Sequence, residues 1–106
     1  MKHVLIAIPS YTSRVSIGTL HAVVVAIGEG LARRWQFDVI TLDGDGRLVQ
    51  VRNRIVADFY HGDWTDLVML DDDVGCRSGG ICQLLSHDVD LVAGVYPGRR
   101  DGEVYP

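Results

Sequence analysis

Four apolar residues, Leu67-Val68-Met69-Leu70, run directly into three consecutive carboxylates, Asp71-Asp72-Asp73, and then Val74-Gly75. An apolar run of this length, bounded by charge and glycine, reads as a short buried strand. Its end is costly, because adjacent like charges repel at the rim of a hydrophobic sheet unless something positive neutralises them. Clustered hard oxygens suit a divalent cation, Mg²⁺ or Mn²⁺, brought or shared by a phosphate-bearing ligand. In open α/β sheets ligands sit at the carboxyl ends of strands, where this cluster falls. A solvated acidic turn is the plainer alternative, and the fusion of three acids to so apolar a strand weighs toward a metal–phosphate site.

The remaining elements supply a matching frame. His3–Ile8 is a short apolar strand stopped by Pro9, and Pro9-Ser10-Tyr11-Thr12-Ser13 follows as a loop. Tyr11 there suits either stacking on a base or covering the sheet edge. A helix is predicted from Arg14 to Arg34, capped by Thr12 or Ser13. Ala22–Ile27 is apolar on all sides, and Gly28 and Gly30 either weaken the helix or admit close packing. Phe37–Leu42 reads as a second strand, closed by Asp43-Gly44-Asp45-Gly46. That segment lacks the spaced ligands and terminal glutamate of a calcium loop, so it reads as a turn at the carboxyl edge that sets Asp43 beside the cluster at Asp71.

Arg47 to His61 is the best-patterned helix. Leu48, Val51, Ile55 and Phe59 recur at helical spacing, and Val49, Val56 and Tyr60 widen the stripe. At about 100° per residue Arg52 falls inside that arc, whereas Arg54 and Asp58 fall outside it. An arginine on a core-facing stripe is expensive unless paired with an anion, so Arg52 is expected to point toward the carboxylates or a ligand phosphate. Asn53, at the stripe's edge, is expected to hydrogen-bond into the same space. A short helix from Gly79 to Ser86 and a fourth strand from Asp90 to Tyr96, ended by Pro97, complete the order. The tail from Gly98 to Pro106 reads as a loop. The expected fold is α/β: a three-layer, open, mainly parallel sheet in the order β-α-β-α-β-α-β.

Bulk properties bound the function. With 106 residues the chain is at most one domain, and 47% apolar content is enough for a core. A net charge of -4 argues against broad phosphate neutralisation on nucleic acid. Nine of the ten basic residues are arginine, the better fork for phosphate oxygens. Cys76 and Cys82 have no metal-type spacing and suggest a reduced, cytoplasmic setting. The run from Ala22 to Ile27 is far short of the roughly 20 residues of a membrane span, and the N-terminus reads as a strand rather than a signal peptide.

Three stretches occurring in order are similar to a known family. They are Ile8-Pro9-Ser10-Tyr11, Val51-Arg52-Asn53-Arg54-Ile55-Val56-Ala57 and Val68-Met69-Leu70-Asp71-Asp72-Asp73, with Asp90–Pro97 after them. Together they resemble the nucleotide-sugar half of a GT-A-fold glycosyltransferase of the family-2-like group common in bacteria and phages. The resemblance covers nearly the whole chain and implies a Rossmann-like sheet and sugar transfer from a nucleoside-diphosphate sugar to an acceptor it does not identify. It implies an Asp-x-Asp motif in which Asp71 faces ribose or metal and Asp73 binds Mn²⁺ or Mg²⁺, with Asp72 fitting either role. It further implies that Asp43 contacts the base, that Pro9 and Tyr11 cradle the nucleoside, and that Arg52 and Asn53 line the donor site. A full domain of this type is longer. The acceptor half, and with it the base of inverting enzymes, lies outside these 106 residues unless Asp101 or Glu103 supplies it.

Two other readings compete. A phosphoribosyltransferase also uses an apolar strand, two acids and a glycine-rich turn, imitated by Leu67–Asp73 and Ser78-Gly79-Gly80. There the spacing is one residue too long, Ile81 stands where a hydroxyl is needed, and the Arg52 helix has no place. The other is a non-catalytic nucleotide-binding or oligomerisation module on the same sheet. A half-domain that exposes its uncovered surface would self-associate.

Overall fold

The computed structural model describes residues 2–10, 14–43, 48–72, 80–87, 96–97 and 104–105. Its centre is β1 (His3–Ser10), which pairs in parallel with β2 (Gln36–Asp43) on one side and β3 (Asp66–Met69) on the other. The sheet order is therefore β2-β1-β3. Helix α1 (Ile17–Ala32) carries the chain from β1 to β2, and α2 (Leu48–His61) carries it back across β1 to β3. Right-handed crossovers in opposite directions place their helices on opposite faces, which makes three layers.

Burial follows this layering. Val4, Leu5, Ile6 and Ala7 of β1 are fully buried, as a strand covered on both faces must be. Val4, Ile6 and Ile8 join Ala22, Val23 and Ala26 of α1, together with Ile81, Cys82 and Leu85 of α3 (Gly80–Leu85), in one core. Leu5 and Ala7 point to the other face, where α2 contacts β1 and Ile55 is fully buried. Cys82 is a core residue, and burial pushes its thiol up, away from nucleophilic use.

Several expectations are corrected. α1 begins at Ile17 rather than Arg14, with Ser16 as its cap accepting from the Thr19 N–H; Thr12 and Ser13 lie outside the described residues. On α2, Val49, Val56 and Tyr60 are exposed, so the buried arc is narrower than the apolar pattern implied. Tyr96–Pro97 pairs antiparallel with Val104–Tyr105 in a separate two-stranded sheet, so Tyr96 belongs to no parallel strand and the tail is not wholly loop. The rest of the expected fourth strand, 90–95, lies outside the described residues.

α1 ends in a Schellman motif: the Trp35 N–H donates to Gly30 O at 2.9 Å and the Arg34 N–H to Leu31 O at 3.1 Å. This turn forces Arg34 to φ 60°, a left-handed conformation that favours glycine. Gly30 is needed for a different reason, because an added Cβ would lie 2.0 Å from the Phe37 ring. Arg34→Gly is expected to stabilise the fold by about 1 kcal/mol, read as a rise of a few degrees in Tm.

The amino edge of the sheet is stitched by polar contacts. Lys2 Nζ lies 3.1 Å from Asp66, and Asp38 accepts from the Trp64 indole at 2.9 Å and from His3 Nε2 at 2.8 Å. The Trp64 N–H foremost, and His3 after it, hold the Asp38 carboxyl below its ordinary 3.8. A depressed folded-state value means that Asp38 stabilises the fold above the ordinary carboxylate range and loses that contribution as pH falls through the depressed value. In urea titrations, Asp38→Asn is expected to be less stable than wild type at pH 7, by a margin that narrows below about pH 4.

Candidate functional site

The reversal of strand order around β1 makes the carboxyl ends of β1 and β3 a topological switch point, the place where ligands bind in open α/β sheets. Proline helps to end the ladder there. The Leu70 N–H donates to Ala7 O at 3.0 Å, so the odd-numbered residues of β1 bond toward β3. The next of these is Pro9, which is buried and has no N–H to give.

Side chains alternate between faces along a strand, and that alternation continues through the acidic end. Val68 and Leu70 face the α1 side. Asp71 therefore falls toward α2, and Asp72 toward α1. Arg52 Nη2 meets Asp71 Oδ1 at 2.6 Å, with the two side chains 42% and 40% exposed. Arg52 occupies the core-facing arc of α2 beside Ile55, while Arg54 and Asp58 lie outside it as an exposed i,i+4 pair at 3.8 Å.

Asp72 has a different partner, Ser10, the last residue of β1. The Ser10 hydroxyl is 2.9 Å from Asp72 Oδ2 and 3.2 Å from Arg14 O, and Ser10 is only 3% exposed. Sequence reasoning assigned Ser10 no role. The available signal was a hydroxyl that continues the inward alternation of Val4, Ile6 and Ile8, where an unpaired polar group would be costly.

The start of α1 holds the same turn by its backbone. The Ser16 N–H donates to Asp72 O at 2.8 Å, and the wholly buried Thr19 donates its hydroxyl to Asp71 O at 3.4 Å. A helix N-terminus favours nearby negative charge, and the first turn of α1 has no acid of its own. Both acidic residues are thus anchored from two directions, by side chain and by carbonyl.

The other expected residues fall around this centre. Asp43 ends β2 as the register partner of Ser10, on the same carboxyl edge but not beside Asp71 as expected, because β1 lies between β2 and β3. Pro9 pairs in register with Leu42. Asn53 is exposed on α2 beside Arg52, and no hydrogen bond links it to either aspartate. Tyr11 and Asp73 lie outside the described residues. Among the described residues, no group of three or more His, Cys, Asp or Glu is arranged to hold a metal ion.

Comparison with models of known protein families, with curated proteins and with solved structures finds no match. The Arg52–Asp71 pair is half-exposed, so it serves orientation more than stability. A double-mutant cycle with Arg52→Ala and Asp71→Ala, followed by urea unfolding, is expected to give a coupling below about 1 kcal/mol.

Proposed function

We propose that this chain is the donor-binding half of a GT-A-type glycosyltransferase, taking a nucleoside-diphosphate sugar at the β1–β3 switch point with a divalent cation. The observation that carries this reading is the pair of carboxylates held apart by separate partners at that point, Asp71 by Arg52 and Asp72 by Ser10.

Carboxylates at this strand end are the oxygen ligands that a hard divalent ion takes. Mg²⁺ in phosphate-handling sites takes only one or two carboxylates and completes its shell with phosphate oxygens and water. Arg52 engages Oδ1 of Asp71 and Ser10 engages Oδ2 of Asp72, which leaves the second oxygen of each for a ligand. Asp71 and Asp73 are assigned to the metal on their Asp-x-Asp spacing, with Asp72 as the alternative. A Mn²⁺ or Mg²⁺ ion held there would supply positive charge to stabilise a diphosphate leaving group.

The chain's own residues do the rest. Arg52 orients Asp71 with one N–H and offers further N–H groups to a phosphate oxygen. Ser10 keeps Asp72 from turning into solvent. Asp43, one strand over, accepts from the base or ribose, and Pro9 and Tyr11 support the nucleoside.

The test is thermal stabilisation by Mn²⁺ with UDP- or GDP-sugars, beside phosphoribosyl pyrophosphate. At ligand concentrations near 100 times Kd, stabilisation of about 2.7 kcal/mol is expected for the sugar nucleotide. Arg52→Ala and Asp72→Ala are each expected to weaken binding about ten-fold or more. A preference for phosphoribosyl pyrophosphate, or stabilisation unchanged in both variants, would sink the reading. Release of free sugar, followed alongside, distinguishes an enzyme from a binding module.

A further inference from the structure

α1 has two apolar faces, and among the described residues only one is packed against other elements. Ala22, Val23, Ala26 and Gly30 are buried against the sheet and α3. On the outside, Ile17 is 85% exposed, Leu20 57%, Val24 58% and Leu31 71%. None of the exposed residues along α1 is Asp, Glu, Lys or Arg, and the helix's charged residue, Glu29, is half-buried. A surface helix ordinarily turns its charged face to water, and here that face is missing.

The outer stripe has internal symmetry. Ile17 and Leu31 lie seven residues either side of Val24, and Leu20 and Gly28 lie four either side. At 3.6 residues per turn all five fall within about 40° of the direction of Val24. An added Cβ at Gly28 would have nothing within 4 Å, so its small size is not required by the protomer's own packing.

We infer that a second copy of this chain docks on the outer face of α1, as an antiparallel helix pair about a two-fold axis at Val24. That axis sets Val24 against the partner's Val24 and Ile17 beside the partner's Leu31. It brings Leu20 into the layer of the partner's Gly28, where the absent side chain leaves room for the leucine. A two-fold interface needs a self-complementary patch, and large-against-small pairing about one central residue is such a patch.

The four exposed residues present roughly 500 Å², comparable with the largest apolar patch of a typical monomer, which is often functional. Pairing two copies would bury up to about 1,000 Å², at the lower bound for a specific interface, which sets the expected dimer among the weak, reversible ones. This inference rests on none of the contacts made by Asp71 or Asp72, and so it stands or falls apart from the donor-site reading.

Sedimentation equilibrium of the whole chain tests it. Wild type is expected to dimerise reversibly at micromolar concentration. Gly28→Leu, which fills space open in the protomer, and Val24→Glu are each expected to raise the dissociation constant about ten-fold or more while helical content stays the same. Val49→Glu, on an exposed apolar residue of α2, is expected to leave the dimer intact. The proposal is overturned if wild type stays monomeric to about 100 μM, with or without binding to phosphatidylcholine vesicles. It is equally overturned if Gly28→Leu and Val24→Glu both dimerise like wild type, or if Val49→Glu dissociates the dimer as strongly as they do.

Discussion

Closure of both faces of β1 to water is the constraint on which the other elements depend. A strand with Val4, Leu5, Ile6 and Ala7 fully buried needs a helical layer above and below and a neighbour on each edge. Right-handed crossovers meet that need only if the chain leaves β1 in one direction and returns in the other. The reversal places α1 and α2 on opposite faces, and it leaves a switch point where the two connections part. The site is thus a consequence of how the core is covered.

Just past β3, the continued alternation of side chains separates two adjacent carboxylates. Asp71 turns to a cation on α2, and Asp72 turns to a hydroxyl at the end of β1. Like charges on neighbouring residues then gain different partners instead of sharing one environment. The half-exposed ion pair adds little stability. What it supplies is a fixed direction for Asp71 and a guanidinium with donors left for an anion. Ser10, being buried, holds Asp72 more tightly than a surface hydroxyl could.

α1 connects the two proposals physically. Its first turn bonds the carbonyls of Asp71 and Asp72, and its outer face carries the symmetric apolar stripe. Packing that face against a second copy would immobilise the helix whose N-terminus supports the acidic turn. Stiffening of this kind pre-organises a site without adding a contact to its ligand.

Much of this was legible in the residues. Short apolar runs ended by Pro9 or by aspartates specify strands, but only β1 is buried along its length, whereas β3 is half-buried and the buried Leu70 lies past its end. The spacing of Val51, Ile55 and Phe59 specifies α2, and the cost of an unpaired arginine on that stripe points Arg52 at an anion. Local pattern carries such information because burial periodicity and charge are properties of neighbouring residues. Which face of α1 meets the sheet was not legible, because its middle, Ala22–Ile27, is apolar on all sides and the packing of small residues against Phe37 and α3 selects between faces. Nor was the antiparallel pairing of Tyr96–Pro97 with Val104–Tyr105, which depends on a partner strand too short to signal itself. The sequence by itself determined the first three strands, the two helices that join them and the acidic strand end. Only the tertiary structure decided that Asp71 and Asp72 part company, because Ser10 and Arg52 reach them from elements 62 and 19 residues away.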